Sequence, residues 1–252
     1  MIADILPPAV AAAESTGKAP RTGFGLFPAE EAALRTAGPG RRAEFAAGRL
    51  CARAALARLG VPATPILPGW AGQPQWPAGV TGSITHCAGY QACAVALAAD
   101  VAAIGIDAEP HQELPATLIE AVATRPERAW IRQQAACVPA VCWDRLLFSA
   151  KESVAKLWYP LTAQWLSFHD VAVCLADTGT FSARLPSGPG WASGDLPEGR
   201  MMGRWLIRDG LILTAITLRC GGLATSSRAG TLAGLLRRQN ELRTRRSTAR
   251  FS

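Results

Sequence analysis

A short apolar segment in the second half of the chain constrains the fold more than any other. In Phe148-Ser149-Ala150-Lys151-Glu152-Ser153-Val154-Ala155-Lys156-Leu157-Trp158, two of the chain's three lysines flank a glutamate. Lysine and glutamate are rarely buried without partners, so these groups need a rigid element that gives them some. At helical spacing Glu152 and Lys156 share a face, while Leu147, Val154, Leu157 and Trp158 supply the apolar anchoring. Taken alone, the pattern is an ordinary helical salt bridge, worth roughly 0.3–0.5 kcal/mol.

A second acidic pair lies in Gly105-Ile106-Asp107-Ala108-Glu109-Pro110. Cys93 to Leu97 and Val101 to Ile106 read as short apolar strands, with Ala98-Ala99-Asp100 as the turn between them. In an extended chain, residues two apart point to one side, and Pro110 biases Glu109 away from helix. Two close carboxylates repel each other and raise one pKa unless a cation sits between them. A hard divalent ion such as magnesium, typically held by one or two carboxylates plus water and phosphate oxygens, meets that need. The simpler alternative is a solvated strand end.

Two further segments carry groups suited to anions. Gly79-Val80-Thr81-Gly82-Ser83-Ile84-Thr85-His86-Cys87 combines glycines with hydroxyl and imidazole groups, although a histidine in such a setting is more often structural. Arg41 to Gly60 reads as a helix with Arg42, Arg49 and Arg53 near one face and Arg41 beside them. Gly60 is its expected C-terminal cap and Pro62 prevents continuation; a solvated basic face is the commoner meaning of such a pattern.

Together the four segments resemble the 4'-phosphopantetheinyl transferases of the long, single-chain type that includes siderophore-synthase activators and actinobacterial relatives. The resemblance runs from about Arg41 to Thr217, through the basic helix, Gly82 to Cys87, Gly105 to Glu109 and Phe148 to Lys156, in the family's order. Such enzymes move the phosphopantetheine arm of coenzyme A onto a serine of an apo acyl or peptidyl carrier protein and release adenosine 3',5'-bisphosphate. The resemblance implies that Asp107, Glu109 and Glu152 bind Mg2+, with Mn2+ an alternative, and that Glu152 is the general base. It implies that Lys151 and Lys156 bind phosphate, with Lys156 the better candidate for stabilising the leaving group. Thr85 and His86 would contact the coenzyme A phosphates, and the family's arginine pair falls on Arg41 and Arg49, with Arg42 one residue from the first.

Two departures stand out. Many relatives carry a cation between the basic helix and the Gly-Ser-Ile-Thr-His segment, where Pro65 to Pro74 has none; Gln73 is the nearest polar substitute. Gln91 also stands where a basic residue is frequent. A noncatalytic coenzyme A or nucleotide-binding protein of the same fold is the rival reading; a metal-dependent phosphohydrolase also accommodates the carboxylates.

Composition agrees with a globular enzyme. At 252 residues and 49% apolar content the chain can bury a sizeable core, with no apolar run long enough to span a bilayer and no signal-peptide pattern at Met1 to Pro8. Seven cysteines without a Cys-x-x-Cys pattern predict reduced thiols in the cytoplasm. The net charge of +7 is almost wholly terminal: Arg228 to Ser252 holds seven arginines and one glutamate, which is +6. No nucleic-acid motif precedes that tail, so a solvated, flexible segment is the leading expectation, steering of an acidic carrier the secondary one, and a nucleic-acid partner is not expected.

The expected fold class is α+β, built as the family's pseudo-twofold pair of α/β subdomains with the active site between them, in a monomer. The halves are expected at residues 1–112 and 113–222, with their junction near Pro110 to Leu114 and the basic tail at 223–252. Helices are predicted over Glu113 to Ala123, from Thr124-Arg125-Pro126-Glu127, and over Arg145 to Trp158. Strands are predicted over Val171 to Leu175, Thr180 to Leu185 and Gly203 to Arg219, with a loop over Ser187 to Gly199.

Overall fold

The structure is a computed structural model describing residues 1–17, 25–87, 89–185 and 200–220. Its class is α+β, with two antiparallel sheets, each backed by one long helix. The first sheet has the order β1 (Ala11–Thr16), β3 (Tyr90–Leu97), β2 (Val80–Cys87). The second runs β4 (Val101–Pro110), β8 (Leu211–Arg219), β7 (Met201–Arg208), β6 (Thr180–Arg184), β5 (Ala172–Ala176). The helices are α1 (Pro28–Ala33), α2 (Pro39–Arg58), α3 (Ala116–Val122), α4 (Arg125–Cys137) and α5 (Trp143–Thr162). The predicted loop at 187–199 and the tail at 223–252 lie outside the described residues.

β3 reads as a continuous apolar run because it is buried on both faces. Cys93 and Val95 meet Cys51, Ala52, Ala55 and Leu56 of α2, whereas Ala92, Ala94 and Ala96 share a second cluster with Ile104, Ile106 and Ala108 of β4. Asp209-Gly210, both at positive φ, form the tight turn that pairs Arg208 with Leu211 and brings β8 back along β7. β8 then continues into register with β4, pairing Asp107 with Thr214 and Glu109 with Ile212.

With this pairing the chain changes sheet at the turn at 98–100. The physical reason is non-local: β4 finds its backbone partner about a hundred residues downstream in β8 rather than in its neighbour β3. The other edge of β4 lies beside β2, and side chains make the join. Ser83 Oγ accepts the Ile106 N–H (3.2 Å) and Thr85 Oγ1 accepts the Ala108 N–H (3.0 Å), satisfying buried donors that a sheet edge otherwise leaves open.

The faces of β4 are thereby divided. Ile104, Ile106 and Ala108 enter the cluster shared with β3, while Gly105, Asp107 and Glu109 face α5. Gly105 sets the separation, because a Cβ there would overlap the Ser153 carbonyl oxygen of α5. α5 buries Leu146, Leu147, Ala150, Val154, Leu157, Trp158 and Leu161 against the second sheet. It runs four residues beyond the predicted end at Trp158, with Pro160 in its final turn and Ala163 closing it in the left-handed region.

α4 is tied to α5 and β5 by one carboxylate. Glu127 Oε2 accepts the Thr124 N–H (2.8 Å) at the helix start and the Lys151 ammonium (2.8 Å), and Oε1 accepts the Val173 N–H (3.3 Å). Lys151 is fully buried and completes its donors on the carbonyls of Val122 (3.0 Å) and Phe168 (2.8 Å). Burial lowers its pKa, and Glu127 works against that shift. Lys151→Met is expected to destabilise the protein by about 3–5 kcal/mol, since it strands a paired carboxylate. Gly105→Ala is expected to cost about 1–3 kcal/mol or more by forcing α5 off β4; chemical denaturation of each variant measures both.

Candidate active site

α5 lies across β4 so that its Lys-Glu-Ser-x-x-Lys stretch meets the acidic end of the strand. Asp107 is nearly enclosed, and both of its oxygens are engaged. Oδ1 accepts Lys156 Nζ at 2.6 Å and the Thr85 hydroxyl at 3.3 Å, and Oδ2 accepts the Ser149 hydroxyl at 2.8 Å. Glu109, two residues on and on the same face, pairs with Arg145 Nη1 at 3.0 Å.

Glu152 completes the acidic group. Burial raises its pKa above the ordinary carboxylate value, Asp107 adds to the rise, and Lys156 opposes it. Glu109 is raised by burial first and Asp107 second, against Arg145 and Lys156. Glu109 and Glu152 thus each feel the charge of Asp107, and carboxylate oxygens are the donors that a hard divalent cation prefers. As the side chains stand, no group of three or more His, Cys, Asp or Glu among the described residues is arranged to hold an ion. Asp107 is turned to Lys156 and Glu109 to Arg145, two cations that occupy the acids in this arrangement. Asp107, Glu109 and Glu152 are all carboxylates, so their donor chemistry suits a hard divalent ion.

Beside the acids lies a cationic margin. His86 Nε2 sits 3.4 Å from Glu44 Oε2, and Arg41 Nη1 lies 3.7 Å from the same oxygen. Burial lowers the His86 pKa, with Lys156 and Arg41 adding to the fall and Glu44 resisting it, so the ring is neutral at neutral pH. Arg41 and Lys156 are therefore both within electrostatic reach of His86. Thr85 is enclosed, and its hydroxyl is committed to the Ala108 N–H and to Asp107.

Other residues that the sequence pointed to are placed elsewhere. Arg49 is only 5% exposed, stacks over Phe45 at 3.8 Å and donates from Nε to the Ile66 carbonyl at 2.7 Å. Burial lowers its pKa to about 10 in spite of Glu30. Lys151 faces α4, away from Asp107, with its bonds to Glu127, Val122 and Phe168. Gln73 turns inward, accepting the Ala71 N–H at 3.0 Å and packing under Gly69, so its amide closes its own loop. Gln91 is buried in β3.

Sequence reasoning assigned no role to Arg145, Ser149 or Thr214. Arg145 spans Glu109 and the carbonyls of Gln112 (3.1 Å) and Glu113 (2.9 Å), and its neighbour Asp144 accepts the Leu114 N–H at 2.8 Å. These two residues hold the chain leaving β4 against the start of α5. A periodicity count to Glu109 offers no signal for Arg145, since the contact is made between elements. Ser149 stood inside the motif, but a helical serine has many uses, and Thr214 needed the register of β8.

Residues 29–96 match the 4'-phosphopantetheinyl transferase N-terminal domain, and residues 103–198 match the 4'-phosphopantetheinyl transferase superfamily. The gap between the two matches brackets the turn where the chain changes sheets. The chain is 50% identical over 207 residues to 4'-phosphopantetheinyl transferase Svp of Streptomyces mobaraensis, covering 81% of this chain and 84% of that protein. It is 44% identical over 224 residues to 4'-phosphopantetheinyl transferase Npt of Nocardia iowensis, covering 86% and 99%. Against 4'-phosphopantetheinyl transferase PptT of Mycobacterium tuberculosis it is 41% identical over 228 residues, covering 86% and 98%. With both halves matched in order and relatives aligned over nearly their whole lengths, the chain belongs to the 4'-phosphopantetheinyl transferase superfamily.

Proposed function

We propose that this enzyme transfers the 4'-phosphopantetheine group of coenzyme A to a serine hydroxyl of an apo acyl or peptidyl carrier protein, with Mg2+ and with release of adenosine 3',5'-bisphosphate. The observation that supports the reading is Lys156 of α5 at 2.6 Å from Asp107 of β4, with Glu152 of the same helix raised by burial and by the charge of Asp107. A binding protein has no need of a carboxylate raised by a second acid, whereas proton abstraction uses one.

Asp107, Glu109 and Glu152 would hold the divalent ion, whose charge would help neutralise the pyrophosphate. Glu152 accepts the proton of the incoming serine hydroxyl, directly or through water. The serine oxygen then bonds to the pantetheine-side phosphorus, and the bond from that phosphorus to the bridging oxygen breaks. The departing adenosine 3',5'-bisphosphate keeps that oxygen and its electron pair. Lys156, with its side chain 30% exposed, offers its ammonium to the charge growing on this group. Arg41 and His86 bind substrate phosphates from the margin, and an approaching phosphate favours the protonated form of His86.

Thr85, Arg49 and Lys151 support the site from behind. Thr85 fixes Asp107, Arg49 anchors the loop at Ile66, and Lys151 braces α5 on α4. A monomer working in the cytoplasm fits this reading.

Intact mass of an apo carrier protein after incubation with the enzyme, coenzyme A and Mg2+ tests it. A gain of one phosphopantetheine group is expected, abolished by a chelator. Glu152→Gln is expected to slow the transfer by about 10²–10⁴-fold, the usual contribution of a positioned base. Failure to modify acyl and peptidyl carriers alike, with coenzyme A binding retained, would replace transfer by a noncatalytic binding role.

A further inference from the structure

Ser149 is fully buried, lies on the face of α5 that meets the sheet, and has no task in the chemistry above. A serine inside a helix usually returns its hydroxyl to a carbonyl of the preceding turn, as Ser153 does to Ala150 at 2.8 Å. Ser149 instead sends its hydroxyl across to Asp107 Oδ2, 2.8 Å away on β4. Thr214, the cross-strand partner of Asp107 on β8, is also fully buried, and its Oγ1 lies 3.0 Å from Ser149 Oγ and 2.9 Å from the Ser149 carbonyl oxygen.

Proton counting fixes the direction of this chain. An ionised carboxylate only accepts, so the single hydroxyl proton of Ser149 goes to Oδ2. Ser149 Oγ can then only accept, and the one proton of Thr214 is left for Ser149, at its hydroxyl or its carbonyl oxygen. A bond to the hydroxyl holds the serine rotamer that points at Asp107, and a bond to the carbonyl ties Thr214 to the backbone of α5 at Ser149. On the other oxygen, the Thr85 hydroxyl donates at 3.3 Å and Lys156 at 2.6 Å. The carboxylate plane is therefore set by α5 and β2, with Oδ2 committed to Ser149 and Oδ1 turned to Lys156 and Thr85.

We propose that Ser149, backed by Thr214, is a positioning residue that orients Asp107 to receive the divalent ion. The inference rests on the metal-dependent transfer reading. It touches neither substrate nor leaving group: it keeps Asp107 from rotating both oxygens onto Lys156, so that an entering ion meets a carboxylate already aimed. Outer partners of metal ligands commonly change metal affinity by about 10–100-fold.

The test is Mn2+ binding, followed by the electron paramagnetic resonance of the free ion, for wild type, Ser149→Ala, Thr214→Val and Thr214→Ser. Thermal melting and steady-state transfer kinetics accompany each titration. Ser149→Ala is expected to weaken Mn2+ binding by about tenfold or more, and to lower kcat at limiting metal with recovery at high metal. KM for coenzyme A is expected to stay within about twofold, the range left by a group that touches no substrate. Thr214→Val is expected to weaken Mn2+ binding more than Thr214→Ser, which keeps the hydroxyl. A folded Ser149→Ala protein that binds Mn2+ within about twofold of wild type would overturn the inference, even with a lowered melting temperature, because the serine then serves packing alone. Should Ser149→Ala fail to fold, equal Mn2+ affinity in the two Thr214 variants would overturn it. Wild type that transfers without binding Mn2+ would remove the metal reading and this inference together, and wild type that binds Mn2+ without transferring would remove the transfer reading alone.

Discussion

The seating of α5 on β4 at Gly105 is the contact on which the site depends. Hydrogen as a side chain lets the Ser153 carbonyl come against the strand, and helix and strand then stay in step on either side of that point. One turn toward the start of α5, Ser149 reaches Asp107; one turn toward its end, Lys156 reaches the same carboxylate from the other side. A larger residue at 105 would lift the helix, and every one of these 2.6–2.8 Å contacts would lengthen together.

Burying charge around such a site is costly unless each charge is met in full, and the protein meets it twice by the same device. In the first half, fully buried Glu30 pairs with Arg53 at 3.0 Å and accepts the N–H groups of Phe27 and Ile66 at 2.9 Å each. Arg49 holds the carbonyl of that same Ile66, so the loop after α2 is gripped at both ends of one residue. In the second half Glu127 and Lys151 join α4, α5 and β5. These groups fix how the helices meet the sheets. The acids at the site proper are left less completely matched, and burial together with mutual repulsion raises Glu109 and Glu152.

Much of the local structure was legible in the chain. Apolar spacing, Gly60 and the Thr124 to Glu127 signal located α2, the start of α4 and most of α5 to within a few residues. Asp-Gly at 209–210 is the turn that divides the predicted Gly203 to Arg219 stretch into two strands. The change of sheet was not legible, because β3 and β4 are joined by a short turn and only the distant β8 competes for the edge of β4. The internal bond of Gln73 was not legible for a related reason: only the backbone of the loop brings the Ala71 N–H to its side-chain oxygen.

The sequence by itself determined which groups this protein has for chemistry: the alternation along β4 puts Asp107 and Glu109 on one side, and helical spacing puts Glu152 and Lys156 on one face. Periodicity is a property of a single element, so it survives without knowledge of neighbours. Which partner each face meets was decided only by the tertiary structure. Lys151 and Lys156 look alike in the motif, yet one is enclosed between α4 and α5 with its donors spent, and the other lies against Asp107 at the site. The same holds for Arg49 against Arg41, and for Ser149 and Thr214, whose hydroxyls converge because strands 107 residues apart in sequence pair in register, Asp107 opposite Thr214. Hydrogen bonds and ion pairs act over about 3 Å, and only the fold brings groups from separate elements within that reach.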